Sequence, residues 1–130
     1  MQAGGKMNSS LAEKNLYYLN SLRNSIGIDD EMVSRFCSSF LHHGPDYIHR
    51  MTDALETRNG REFRRLAHSL KSTLNMIGAQ DLVEQAKTLD HLGERGSWEP
   101  IPPIFSRFSA DMTLLCENIR SIRSLLLPAE

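Results

Sequence analysis

Apolar residues recur at steps of three and four through nearly the whole chain, and no stretch sustains the every-other-residue alternation of a half-buried strand. A chain built this way can bury its apolar stripes only by laying helix against helix. Its 130 residues suffice for one core, since two would leave each half too small to remove enough surface from water. The fold class expected is therefore all-α, an antiparallel up-and-down four-helix bundle with an additional N-terminal helix or helices.

Residues 1–9 are expected to be a disordered or cloning-derived terminus, and residues 10–127 one helical-bundle domain. A first helix is predicted from about Ser10 to Ser25, with Leu11, Leu19, Leu22 and Ile26 on its apolar side and Gly27 at its end. Asp29, Asp30 and Glu31 put carboxylates where a helix start favours them. Met32, Val33, Phe36, Phe40 and Leu41 follow on one face, ending near His43-Gly44. Pro45 suits the opening of a third helix, with Ile48, Met51, Ala54 and Leu55 leading to a turn at Asn59-Gly60. Helices from Arg61 to Ile77 and from Ala79 to Glu94 are closed by Gly78 and by Gly93 and Gly96. Ser97 to Pro103, with Trp98 and three prolines, reads as one long connection before a last helix from about Pro103 to Leu127. Short connections imply antiparallel neighbours.

Fifteen basic and sixteen acidic residues leave a net charge of −1, without the positive field that nucleic-acid binding requires. No run approaches a membrane span, and Met1 to Lys6 lacks the apolar core of a signal peptide. Cys37 and Cys116 sit in separate apolar helical patterns and read as reduced core thiols, which fits a cytoplasmic location. No sustained heptad seam is visible, so a monomer is expected.

On the helix of residues 61–77, successive side chains rotate by about 100°. Phe63, Leu66, Ala67, Leu70, Leu74 and Ile77 then form one apolar stripe, while Arg61, Arg64, Arg65, His68, Lys71, Ser72 and Asn75 gather roughly opposite. His68 should point to solvent with arginines one turn before it and Lys71 one turn after it. Like charges disfavour a protonated imidazole, and an uncharged ring nitrogen is a nucleophile. The same cations would pair with the oxygens of a phosphoryl group placed on the ring. On periodicity alone the commoner reading of such a histidine is an ordinary solvated side chain.

Ala67 to Ala79 reads AHSLKSTLNMIGA. It closely resembles the phosphoacceptor motif of histidine-containing phosphotransfer (HPt) domains, which have a histidine followed at fixed spacing by Leu70, Lys71, a small residue at Ser72, and Gly78-Ala79. The wider pattern is similar too, with a Phe-containing helix, an Ile-His-Arg-Met-x-x-Ala-Leu helix over Ile48 to Leu55 and an Asn-Gly turn, covering roughly residues 29 to 125. Ser72 stands where the family usually has glycine, and the Pro-rich connection is longer or stiffer than the pattern expects. At a position where members often carry a glutamine the chain has Asp90, so that role is not transferred.

The resemblance implies a phosphoryl carrier without autonomous kinase activity, either free-standing or a module of a hybrid kinase. A phosphate-cradling Gly-rich loop is indeed missing from the sequence. His68 would accept a phosphoryl group from a receiver-domain aspartate and pass it to another receiver. Lys71 would orient phosphoryl oxygens, while Arg64, Arg65, Ser72 and Asn75 would meet the partner, with Met76 a candidate for an apolar rim. The implied partners are response-regulator receiver domains and a hybrid sensor histidine kinase, without nucleic acid or membrane. This chain would bind no cofactor, and Mg²⁺ would sit on the receiver. Two rivals remain open. One is an interaction bundle that binds receivers or kinases without phosphotransfer. The other is a metal site at His42, His43 and His49, disfavoured because adjacent histidines leave a helix in different directions and no ligand set is complete.

Overall fold

A computed structural model of the chain describes residues 2–126, with side chains from Ala12 onward. Five helices follow in order: α1 (Gln2–Ile26), α2 (Asp30–Glu56), α3 (Gly60–Ile77), α4 (Gln80–Arg95) and α5 (Ile101–Leu126), with no strand among the described residues. Helices α2 to α5 form the bundle. Each packs against its chain neighbour, and α5 returns to α2 to close the ring, the arrangement that short connections between helices of similar length produce. Helix α1 lies across α3 and α5. The stripe read on α3 is the centre of the core, since Phe63, Leu66, Ala67, Leu70, Leu74 and Ile77 are all buried together with Met51, Leu89, Phe108 and Ile119.

Several boundaries differ from those read in the sequence. Helix α1 begins at Gln2 rather than near Ser10, as Lys6, Met7 and Leu11 favour a helix despite the Gly4-Gly5 pair. The side chain of Leu11, and the helix end expected at Leu127, lie outside the described residues. The two helices expected on either side of Gly44-Pro45 are one, α2. Gly44 is buried in helix interior, where an added Cβ would already touch Phe40 and Met112 at 3.5 Å, so the segment packs closely on α5 as the helix continues through the proline. Met32 falls outside the apolar face and is exposed, while Val33 beside it is fully buried.

The turn before α3 is built differently as well. Asn59 is the N-cap, its side chain accepting from the Glu62 amide at 3.2 Å. Gly60 is already helical, and the left-handed residue is Arg58 at φ 53°. The connection before α5 is shorter than expected because the helix starts at Ile101, placing Pro102 and Pro103 in the first turn, where a missing N–H costs nothing. Trp98 in that connection packs edge-on against Phe63.

Candidate functional site

Helix α3 owes its position to its ends as much as to its stripe. Gly78 closes it in a left-handed conformation (φ 85°), with its amide donating to the Leu74 and Asn75 carbonyls. Helix α1 lies so close at this point that an added Cβ on Gly78 would fall 2.9 Å from Ser21 Cβ. Ser21 and Ser25 hydroxyls donate to the Met76 carbonyl, satisfying an otherwise open acceptor at the end of α3. Ala79 is buried at the start of α4. The Gly-Ala pair is thus a structural joint, distant along the helix from the histidine.

His68 lies near the middle of α3 on the side turned from the core, and its side chain is exposed. It opens onto a shallow depression of about 560 Å³ between α3 and α4, lined by Arg61, Arg64, Arg65, Asp90 and Glu94 among others. The imidazole makes no hydrogen bond or ion pair with the described residues, so its ring nitrogens face solvent. Ser72 and Asn75 are exposed on the same side, and Asn75 accepts from Gln80 at 3.5 Å. All the residues assigned from the sequence to this face are therefore brought onto it.

Their charges do not act as the sequence reading supposed. Arg64 Nε donates to Asp90 Oδ1 at 3.2 Å, with Glu94 3.9 Å from its other end. Arg65 is bound through two nitrogens to Glu62, at 2.9 and 2.8 Å. This pairing holds the Glu62 carboxyl below the usual carboxylate range, chiefly through the hydrogen bonds from Arg65. Two of the cations expected to act on His68 are consequently neutralised by neighbours. Lys71 is half-buried and, among the described residues, has no carboxylate partner. The sequence places Asp90 near this site without a role, and its pairing with Arg64, like the presence of Glu62 and Glu94, was missed. Glu62 was open to view, being three residues before Arg65, whereas the other two depend on the register of α4 against α3.

On the opposite flank of α3, Phe36, Phe40, His43, Tyr47, Leu70 and Thr73 border a narrower groove of about 270 Å³ against α2. His42 and His43 touch edge to face, and His49 lies 3.8 Å from Asp53. Among the described residues no group of three or more His, Cys, Asp or Glu is arranged to hold a metal ion. Among the same residues no helix is long and apolar enough to cross a membrane.

A family model described as the Hpt domain matches residues 35–122, more than half of the chain, and the chain belongs to that family. Hpt domains are helical phosphocarrier modules that serve histidine phosphotransfer in phosphorelays, interact with receiver domains of two-component systems, and are not kinases. Comparison with curated proteins and with solved structures finds no match.

Proposed function

We propose that this chain carries a phosphoryl group on His68, taking it from the aspartyl phosphate of one receiver domain and giving it to the aspartate of another. The observation that carries the reading is an exposed imidazole without internal partners, one helical turn from the uncommitted ammonium of Lys71. In the forward step a ring nitrogen of His68 attacks phosphorus in line with the acyl oxygen. The N–P bond forms as the P–O bond breaks, and the receiver carboxylate leaves with the electron pair. The reverse step, onto a second aspartate, restores the free ring.

Lys71 orients the phosphoryl oxygens. Arg64 and Arg65 flank the approach to the acidic receiver, Ser72 and Asn75 leave room for a partner loop, and Phe36, Tyr47 and Met76 supply an apolar rim. The receiver brings Mg²⁺, which neutralises charge on the transferring group, and this chain needs no cofactor of its own. We place the protein in the cytoplasm as a monomer, with a hybrid sensor histidine kinase upstream and no nucleic-acid or membrane partner.

The test is transfer of radiolabel from a phosphorylated receiver domain. The parent chain should acquire acid-labile label and His68→Ala should acquire none. Equal labelling of His68→Ala would remove His68 as the acceptor. Binding of receivers by the parent without any labelling would instead favour a non-catalytic interaction bundle.

A further inference from the structure

Resting on the assignment of His68 as acceptor, we infer that Asp90 is a positioning residue that holds Arg64 in reserve and so limits the lifetime of the phosphorylated state. Three observations meet here. Arg64 stands one helical turn before His68, near enough for its long side chain to reach a group built on the ring. It is tied instead to α4, by the 3.2 Å contact to Asp90 and the looser 3.9 Å contact to Glu94. Asp90, Arg64 and His68 all border one depression, so nothing solid separates the guanidinium from the place a phosphoryl group would occupy.

The register of α4 fixes which carboxylate makes the closer contact. Gly93 lets the Arg64 stem lie across α4, since an added Cβ there would fall 3.0 Å from Arg64 Cγ, and this course brings the guanidinium beside Asp90. Asp90 is also the less exposed partner, with 23% of its side chain accessible against 59% for Glu94, so water competes less for its carboxylate.

A phosphoryl group on His68 would compete for the same guanidinium. Loss of the group passes through a loose transition state in which charge leaves the phosphoryl oxygens toward the departing nitrogen. In spontaneous loss to water, with no receiver carboxylate or metal ion to meet the moving group, a cation bound to those oxygens therefore stabilises the phosphorylated ground state more than the transition state. By retaining Arg64, Asp90 leaves the phosphorylated ring open to faster spontaneous loss, which shortens the lifetime of the charged carrier. Neutralising Asp90 releases the guanidinium and slows the loss.

The experiment charges the whole chain with potassium phosphoramidate, a small phosphoryl donor, and follows loss of phosphohistidine by ³¹P NMR. His68→Ala serves as blank for labelling of the other exposed histidines, and thermal unfolding is recorded for every variant. Asp90→Asn should lengthen the half-life of the His68 phosphoryl group about threefold, the scale of one partly exposed charge-assisted contact. In an Arg64→Ala background the same substitution should change nothing. An unchanged half-life in Asp90→Asn overturns the inference, as does equal lengthening with Arg64 absent, which would mean that Asp90 acts by direct repulsion. Should His68→Ala acquire label as fully as the parent, the underlying assignment of the acceptor fails instead.

Discussion

Replacing Gly78 by alanine separates two costs that usually arrive together. At φ 85° an L residue pays about 1–2 kcal/mol for crowding between Cβ and the following carbonyl, whatever its surroundings. The new Cβ would also lie 2.6 Å from Ser21 Oγ and 2.9 Å from Ser21 Cβ, with Tyr17 at 3.3 Å. Rotating the hydroxyl away cannot relieve contact with Ser21 Cβ, which moves only with the α1 backbone. Displacing α1 also strains the bonds from Ser21 and Ser25 to the Met76 carbonyl, an overpacking penalty of about 1–3 kcal/mol. Gly96 is the internal control: it too is left-handed, at φ 68°, but its added Cβ would meet nothing within 4 Å. We expect Gly78→Ala to lose about 2–4 kcal/mol and Gly96→Ala about 1–2 kcal/mol, each offset slightly by a less flexible unfolded chain. Urea unfolding followed by far-UV circular dichroism measures both. Losses agreeing to within about 0.5 kcal/mol would show that α1 does not press on Gly78 and would refute the reasoning.

Two further outcomes follow from the site and the core. Lys71→Ala should slow phosphoryl transfer from a receiver about tenfold, equivalent to one charge-assisted contact of about 1.4 kcal/mol, with the unfolding midpoint unchanged; an unaltered single-turnover rate would contradict the orienting role. Burial pushes the Cys37 thiol up from 9.0 to about 11, so folding opposes its ionisation. The resulting stability is complete below about pH 9 and is lost as pH rises toward about 11, which urea titrations across that range should show as a falling midpoint that Cys37→Ala flattens.

The legible parts of this fold are those that depend on periodicity. The stripe Phe63 to Ile77 and the outward placement of His68 follow from one rotation per residue, and both stand in the structure. Gly78 as terminator was legible for the same reason, since its neighbours run out of helical pattern where a left-handed residue is needed. Gly44-Pro45 misled because both residues are local punctuation, whereas α2 continues through them with Gly44 buried against α5, a long-range packing with no trace in local sequence. Pro102 misleads by the same logic, being tolerated in a first turn that the sequence reading opens only at about Pro103. The electrostatics were the least legible, as Asp90 and Glu94 reach Arg64 only through the packing of α4 on α3.

That pairing changes what the face around His68 can do. Around His68 stand the cations Arg61, Arg64, Arg65 and Lys71, against the carboxylates Glu62, Asp90 and Glu94, so the face is close to neutral rather than strongly basic. A row of four unpaired cations would attract an acidic receiver from a distance and retain both partner and phosphoryl group. A balanced face leaves recognition to short-range contacts and lets a charged receiver depart, as the proposed transfer between receivers would require. The consequence is measurable. Association with a cognate receiver should weaken only about two- to threefold between low and physiological salt, because exposed pairs within one side of the interface exchange little field with the partner. Neutralising the carboxylates in Glu62→Gln/Glu94→Gln should steepen that dependence. A fall of about tenfold or more for the parent chain in stopped-flow association would show that the arginines act as free cations despite their partners.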